Sequence, residues 1–173
     1  MILLQAIAYQ VGSQVSYSEL AQTVGIDGKT VETYIDLLEK CYIIFRLPSY
    51  SRNLRNELKH SRKIYFYDNG IRNALIGNFS PLEMRTDVGV LWENMMMSER
   101  VKHNAYNQSY AQMYFWRTQQ QQEVDLIEEH DGRLKAFEFK WHKPNAKLPK
   151  AFVDTYSDTP FQVVTPENYR EFV

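Results

Sequence analysis

Residues 123–140 constrain the fold of the chain more than any other stretch. The dipeptide Asp131-Gly132 stands between two apolar runs that are rich in β-prone side chains. Such a pattern is typical of a β-hairpin closed by a two-residue type I′ turn. If these two residues form the loop, His130 faces Arg133, and the pairing of every residue further along the two strands follows from that register.

The register predicts a cluster of charge on the hairpin. It places Asp125 opposite Glu138 and Glu123 opposite Lys140, and alternation along the strands puts all four side chains on one face. Like charges in opposite positions destabilise a sheet by roughly 0.2–1 kcal/mol. Either the face is solvated and Lys140 and its neighbours screen it, or a divalent cation lies between the carboxylates of Asp125 and Glu138. The opposite face is predicted to enter the core through Phe137, Phe139 and Trp141.

Length and composition narrow the class of protein. The 173 residues suffice for one domain or two small ones, and 44% hydrophobic residues can form packed cores. The net charge of -1 means that any affinity for nucleic acid or membranes must come from local patches. The single cysteine, Cys41, lies in an apolar run and is predicted to pack as a small hydrophobe, in keeping with a cytoplasmic protein. Residues 1–11 are too short to span a bilayer and do not form a signal peptide, so no membrane partner is expected.

The first part of the chain has the pattern of three helices followed by two strands. Asp27 is a candidate N-cap for the third helix. Apolar runs at 42–47 and 63–67 predict the strands, and this order is that of a winged helix-turn-helix. The turn-forming residues 77–81 suggest a winged helix domain over 1–78 and a second domain over 79–173. The loop between the strands carries the basic residues Arg52, Arg55, Lys59, His60, Arg62 and Lys63.

Two surfaces of this winged helix are candidates for contact with nucleic acid. The third helix would present Lys29, Thr30, Thr33 and Tyr34 to a groove, and a wing carrying basic side chains would meet phosphates. Acidic residues on the same helix dilute its positive charge, so a packing or dimerisation module is the alternative. The candidate phosphate contacts in the wing are Arg52, Arg55 and Lys59.

The second part of the chain reads as a helix, three strands, a helix and a strand, the order of an α/β sandwich. A long helix from about residue 87 to 105 carries Glu93 beside an apolar stretch, and this carboxylate either approaches Asp125 or stays a half-exposed helix charge. A short helix is predicted within 145–156, and strands at 113–118 and 161–165. No phosphate-binding loop motif is present, which predicts that this chain has no ATP site of its own.

Two groups of segments carry a resemblance to one family. Residues 17–21 and 63–70, with the sequences YSELA and KIYFYDNG, resemble the C-terminal half of a widespread family of poorly characterised bacterial and archaeal P-loop ATPases. The second group looks like the terminal domain of that family, which is similar to the PD-(D/E)xK restriction-endonuclease-like fold. This second group comprises Trp92-Glu93, Tyr114-Phe115-Trp116-Arg117-Thr118, Glu123-Val124-Asp125 and Glu138-Phe139-Lys140.

The resemblance implies both a site and a missing partner. It makes Asp125 and Glu138 ligands of Mg²⁺, Lys140 the residue that positions or activates water, and Glu93 an accessory carboxylate. It also implies that an ATPase domain of the AAA+ type precedes this region and holds the ATP. The polar connection at 119–122 departs from the small turn associated with the family, but it removes no site residue.

Two functions follow from these observations. One is a DNA-associated module in which a restriction-endonuclease-like α/β domain hydrolyses phosphodiesters with Mg²⁺. The other is a non-catalytic regulatory or protein-interaction module of the ATPase, whose winged helix is used for packing or for DNA binding alone.

Overall fold

A computed structural model describes residues 2–50, 62–142 and 145–173. The chain is a mixed α+β protein, and these described ranges contain six α-helices and two β-sheets. It divides into two compact units, which are described separately. The first unit is formed by Met1–Leu47 and Ser61–Ser98, and the second by Pro48–His60 and Glu99–Val173.

The order of elements follows the pattern predicted from the sequence. The helices are α1 (Ile2–Tyr9), α2 (Tyr17–Val24), α3 (Gly28–Lys40), α4 (Asn69–Ile76), α5 (Val88–Tyr106) and α6 (Lys150–Thr155). The strands are β1 (Ile44–Pro48), β2 (Arg62–Phe66), β3 (Gln112–Arg117), β4 (Glu123–His130), β5 (Arg133–Phe139) and β6 (Phe161–Val164). Helix α6 is shorter than predicted because it begins only after Pro149, which precedes its first turn. None of the helices seen in the described residues has the length and apolar character needed to cross a membrane.

Side-chain caps fix the helix starts in the first unit. The carboxylate of Asp27 accepts a hydrogen bond of 3.0 Å from the N–H of Thr30, which confirms its predicted role at the start of α3. Ser16 accepts the N–H of Glu19 at 3.4 Å and caps α2 in the same way. These local signals therefore determine where α2 and α3 begin.

Strand β2 is the centre of the first unit. It pairs with β1, and the segment after α1 runs along it, with the N–H of Val15 donating to the carbonyl of Arg62 at 2.9 Å. Lys63 lies on this strand, where the predicted strand at 63–67 places it, and is 1% exposed. The prediction that Arg62 and Lys63 belong to the basic loop before the strand is wrong, because both are part of β2. A lysine can be buried on this strand because its ammonium group is paired with the carboxylate of Glu93.

A buried ion cluster links α4 to the start of α5. Asp87 accepts hydrogen bonds from Arg72 and from Arg85, whose Nε lies 2.8 Å from the carboxylate. Hydrogen bonds from Arg85 and Arg72 outweigh the opposing effect of burial and hold the pKa of the Asp87 carboxyl well below its usual range. This cluster stabilises the first unit at neutral pH, and its contribution falls in strong acid as the carboxyl takes up a proton.

The second unit is built on a four-stranded sheet with the strand order β3-β4-β5-β6. Strand β4 runs antiparallel to its neighbours β3 and β5, and β6 returns parallel to β5. At the tip of the hairpin Asp131 and Gly132 have φ angles of 51° and 74°, and His130 pairs with Arg133. Two successive positive φ values define the type I′ turn, so the predicted turn and its register are confirmed.

A bulge in β4 changes the face on which its side chains lie. Trp116 pairs with Val124 and Tyr114 pairs with Ile127, so three steps along β4 oppose two along β3. Val124 and Ile127 consequently join the same core cluster, although strict alternation would separate them. The prediction that alternation carries through β4 without interruption is therefore wrong at Asp125, next to the bulge.

The second unit has one buried cluster between the sheet and α6 and further buried rings where Phe137 and Phe139 pack on Phe172. Phe137 and Phe139 are buried as predicted, whereas Trp141 is only half-buried because β5 ends at Phe139. In the first unit Cys41 is exposed at the end of α3, so its predicted packing in a core is wrong. The buried cluster beside α6 is made of Trp116, Val124, Ile127, Leu134, Ala136, Phe152 and Tyr156.

Candidate functional site

Asp125 lies where the β4–β5 ladder ends. The last regular pair is Leu126 with Phe137, and one step further the carboxylate of Asp125 accepts a hydrogen bond of 2.9 Å from the N–H of Phe139. Asp125 is half-buried. A backbone N–H aimed at a carboxylate fixes its orientation, so the side chain is held against the neighbouring strand at the level of Glu138.

Glu138 and Lys140 form an ion pair at the end of β5. The Nζ atom of Lys140 lies 2.7 Å from a carboxylate oxygen of Glu138, and the two side chains are 40% and 18% exposed. The backbone N–H of Lys140 also donates to the carbonyl of Val164 on β6 at 3.0 Å. The structure therefore brings Asp125, Glu138 and Lys140 together around Phe139.

The fourth charged residue of the predicted face lies elsewhere. Glu123 pairs with Arg117 of β3, and the carboxylate oxygen is 3.3 Å from the guanidinium nitrogen. The prediction that Glu123 stands opposite Lys140 is wrong, because the β4–β5 ladder ends before either residue and the bulge turns Glu123 towards β3. Lys140 forms its ion pair with Glu138, the neighbour two residues before it.

The donor set at this end of the sheet suits a hard divalent cation. Mg²⁺ is usually bound through one or two carboxylates and several waters, and Asp125 with Glu138 supplies oxygens of that type. A cation would compete with Lys140 for Glu138. Within residues 2–50, 62–142 and 145–173, no group of three or more His, Cys, Asp or Glu side chains is placed to hold a metal ion.

Glu93 has partners of its own within the first unit. Its carboxylate accepts a 2.6 Å hydrogen bond from the hydroxyl of Tyr65 and lies 3.3 Å from the Nζ atom of Lys63. Both partners are on β2 and are almost fully buried. These contacts connect α5 to β2. The role of Glu93 as an accessory carboxylate stays a prediction.

Gly12 is expected to be sensitive to substitution because Glu93 lies against it. Gly12 has a φ of +74°, and a Cβ atom there would lie 3.3 Å from Oε1 of Glu93. Gly12→Ala should lower the free energy of unfolding by about 1–2 kcal/mol, because alanine is strained in the left-handed backbone conformation. Crowding of the Glu93 carboxylate by the new Cβ atom should lower it further. The free energies are measured by urea unfolding.

Gly25 offers a matched control for this substitution. It has a φ of +76°, and a Cβ atom there would meet nothing within 4 Å. Gly25→Ala should therefore show the backbone cost alone. Equal losses in the two variants would contradict a tightly placed Glu93.

The predicted nucleic-acid surface of α3 is partly occupied by local contacts. The hydroxyl of Thr30 donates to Asp27 at 2.5 Å, and that of Thr33 donates to the carbonyl of Lys29 at 2.9 Å. Lys29 is exposed, and Tyr34 is 51% exposed. These four residues do lie on one helix with accessible side chains. The other predicted contacts, Arg52, Arg55 and Lys59, lie outside the described residues.

Sequence analysis missed the most deeply buried acid of the second unit. Glu128 on β4 is 4% exposed, and Arg100 of α5 binds both of its oxygens at 2.6 and 2.7 Å. Asn104 donates a third hydrogen bond at 2.9 Å. Burial raises the pKa of the Glu128 carboxyl, but the hydrogen bonds from Arg100 and Asn104 outweigh it and hold the pKa below the usual range. The sequence of β4 gives no signal for this burial, because Glu128 is one of four acidic residues in the strand.

Comparisons with known proteins connect both parts of the chain to uncharacterised domains. Residues 2–82 match the family described as Domain of unknown function (DUF8612), and residues 88–170 match Domain of unknown function (DUF4143). No solved structure matches the chain at a significant level.

The similar full-length proteins are uncharacterised as well. One from Mycobacterium tuberculosis and one from Mycobacterium bovis are each 31% identical over 136 residues, which cover 78% of this chain and 30% of the relative. One from Methanocaldococcus jannaschii is 34% identical over 73 residues, which cover 42% of this chain and 15% of the relative. The match thus spans about 30% of the length of the two mycobacterial relatives.

Proposed function

We propose that the second unit is a Mg²⁺-dependent nuclease-like domain that hydrolyses phosphodiester bonds in DNA. The observation that carries this proposal is the arrangement of Asp125, Glu138 and Lys140 around Phe139 at neighbouring strand ends. Two carboxylates and an ammonium group in one place suit a negatively charged phosphate that is bridged by a divalent cation. Glu93 is proposed as an accessory carboxylate. In that role it would give up its contacts with Tyr65 and Lys63 of β2.

In this proposal the side chains have separate roles. When bound, Mg²⁺ would lower the pKa of an attacking water and neutralise charge on the phosphate. Asp125 and Glu138 supply the oxygens that hold it, and Phe139 keeps Asp125 oriented through its backbone N–H. Lys140 positions the water or the phosphate with its ammonium group. The reaction adds water across one P–O bond, so no further reactant is needed.

The topology of the second unit supports the same proposal. The end of α5 is followed by the antiparallel strands β3, β4 and β5, and then by α6 and the parallel strand β6. We take this order as support for the restriction-endonuclease-like resemblance, because Asp125 lies on β4 and Glu138 on β5. Fold resemblance alone does not establish catalysis, so the proposal depends on the site.

Cleavage is tested directly with the purified chain. Labelled DNA is incubated with Mg²⁺ or Mn²⁺ and, in parallel, with EDTA. The proposal predicts cleavage products only with the metal present. Intact DNA under all conditions would contradict catalysis and would favour the non-catalytic alternative.

The chain is further proposed to act beside a AAA+ type ATPase domain in the cytoplasm of a prokaryote. Support comes from the resemblance carried by residues 17–21 and 63–70 and from the greater length of the mycobacterial relatives. ATP would then be bound by a domain outside this chain. The winged helix is proposed for the first unit because three helices precede the paired strands β1 and β2.

A non-catalytic packing role for the first unit is a second candidate. On α3 the side chains of Tyr34 and Leu37 are 51% and 49% exposed, so an apolar stripe faces outward. The neighbouring acids Asp36 and Glu39 on the same helix are held by ion pairs with Arg46. Half-exposed apolar side chains on a would-be recognition helix are more typical of a protein interface than of a phosphate-binding surface.

DNA binding by the first unit separates these two candidates. If the wing contacts phosphates, Arg52→Ala with Arg55→Ala should weaken DNA binding and reduce the slope of log K against log salt by about 2. The affinity is measured by fluorescence anisotropy over a series of salt concentrations. Arg170→Ala, an exposed arginine near the C-terminal end, is the control and should change neither quantity. An unchanged affinity and slope in the double variant would favour the packing role.

A further inference from the structure

The second unit contains a pocket at the turn end of its sheet. The pocket has a volume of about 720 Å³ and lies between the tip of the β4–β5 hairpin and the segment that connects α6 to β6. All of its lining residues belong to the second unit. Its size is in the range of small-molecule sites, which are typically about 300–1,000 Å³. It lies at the opposite end of β5 from Lys140.

The backbone of β5 presents an unfilled edge to this pocket. In a two-residue hairpin the pair next to the turn is hydrogen-bonded, so the following pair, Glu129 with Leu134, directs its backbone groups away from the partner strand. Pairing with β6 begins only at Ala136, whose N–H donates to the carbonyl of Pro160 at 2.9 Å. Leu134 is 8% exposed, and by this register its N–H points to the side of β5 on which pairing with β6 has not yet begun. A ligand in the pocket would supply a partner on that side.

The charge on the pocket wall favours an anion. Arg133 and Lys135 flank Leu134 and line the pocket. Lys135 stands opposite Glu128 in the β4–β5 ladder, and its charge helps to lower the pKa of that carboxyl. Arg100 and Glu128 also line the pocket but neutralise each other. Asp158 is the remaining acid, so the wall keeps an excess of positive charge.

The polar edge and the apolar wall together narrow the class of ligand. A phosphate oxygen can accept from the N–H of Leu134 and pair with Arg133 and Lys135. The carbonyl of Leu134 faces the same side and needs a donor, which a bare phosphate dianion lacks but a sugar hydroxyl or an amino group provides. The buried side chains of Leu134 and Tyr156 offer an apolar surface for a flat ring.

We propose that this pocket binds the phosphate of a mononucleotide-sized ligand through Arg133, Lys135 and the backbone N–H of Leu134. The site is separate from Asp125, Glu138 and Lys140, and binding there needs no divalent cation. The proposal therefore stands whether or not the chain cleaves DNA.

The test is a titration of the full chain with AMP in the presence of EDTA. Calorimetry measures the affinity, and ¹⁵N-correlated NMR spectra follow the amide of Leu134. AMP should bind saturably and shift that amide, whereas adenosine, which lacks the phosphate, should bind at least 10-fold more weakly. Inorganic phosphate is the third probe and should shift the same amide at higher concentration.

Charge-neutral variants identify the site. Arg133→Gln with Lys135→Gln should weaken AMP binding by 10-fold or more, while circular dichroism checks that the variant is folded. Lys147→Gln with Arg170→Gln removes the same charge from exposed positions that do not line the pocket and should leave binding unchanged. Absence of saturable AMP binding, equal binding of adenosine, or equal effects of the two double variants would overturn the proposal.

Discussion

Replacement of Arg100 with methionine is expected to destabilise the second unit by about 3 kcal/mol at neutral pH. Glu128 is 4% exposed, and Arg100 supplies hydrogen bonds to both of its oxygens. Without the guanidinium group the carboxylate stays buried with the hydrogen bond from Asn104 and the more distant charge of Lys135. Removal of one member of a buried ion pair costs several kcal/mol because the other charge loses its compensation. The loss is measured by urea unfolding followed through the NMR signals of β4 and β5.

The pH dependence of this loss distinguishes an electrostatic cause from a packing cause. In the wild type the pKa of Glu128 is lowered, so its stabilising contribution is present above the unfolded-state pKa and is lost as the pH falls through the folded-state pKa. In Arg100→Met burial acts unopposed by the guanidinium and raises that pKa. The difference between the two proteins should therefore shrink as the pH falls from 7 towards 4.

A control on the same helix uses an exposed pair. Lys102 and Glu99 lie 2.7 Å apart with side chains that are 36% and 38% exposed. Lys102→Met should change the free energy of unfolding by less than about 0.5 kcal/mol. A similar loss in both variants, or a loss in Arg100→Met that does not vary with pH, would contradict the buried ion pair as the cause.

Asp125→Asn and Lys140→Ala are each expected to reduce metal-dependent DNA cleavage by about 100-fold or more. Asp125→Asn would remove a negative charge that holds the cation. Lys140→Ala would remove the ammonium group beside Glu138. Removal of one preorganised charge or donor from an active site commonly costs a factor of 10² to 10³ in rate. The rate is measured under single-turnover conditions with labelled DNA and Mg²⁺.

The double variant and an exposed lysine provide controls for this result. Residues that act as a unit are not additive, so Asp125→Asn with Lys140→Ala should lose little more than either single variant. Lys147→Ala removes a similar charge from an exposed position and should keep the wild-type rate. If Lys140→Ala also keeps that rate, the observed cleavage does not come from this site.

The local features of the fold were predictable because short sequence signals determine them. Asp27 has the side chain of an N-cap, and Asp131-Gly132 has the composition that two successive positive φ angles require. The register near the turn followed from those two residues. The position of Glu138 within β5 followed from alternation along a regular strand, whereas Lys140 lies just beyond the end of that strand.

The features that were missed depend on contacts between distant parts of the chain. The bulge next to Asp125 arises from pairing with β3 and leaves no mark in the sequence of β4, so Glu123 was placed opposite the wrong strand. Lys63 looks like a loop cation until its partner Glu93, 30 residues away, is known. Glu128 likewise requires Arg100, and its burial cannot be recognised from one strand alone.

A crystal soaked with Mn²⁺ tests the central claim most directly, since Mn²⁺ takes the same oxygen ligands as Mg²⁺ and gives an anomalous signal. The account predicts an anomalous peak bound by carboxylate oxygens of Asp125 and Glu138, with Lys140 beside it, and no such peak in crystals of Asp125→Asn. An anomalous map without density at these carboxylates, or a peak that persists in Asp125→Asn, would contradict it.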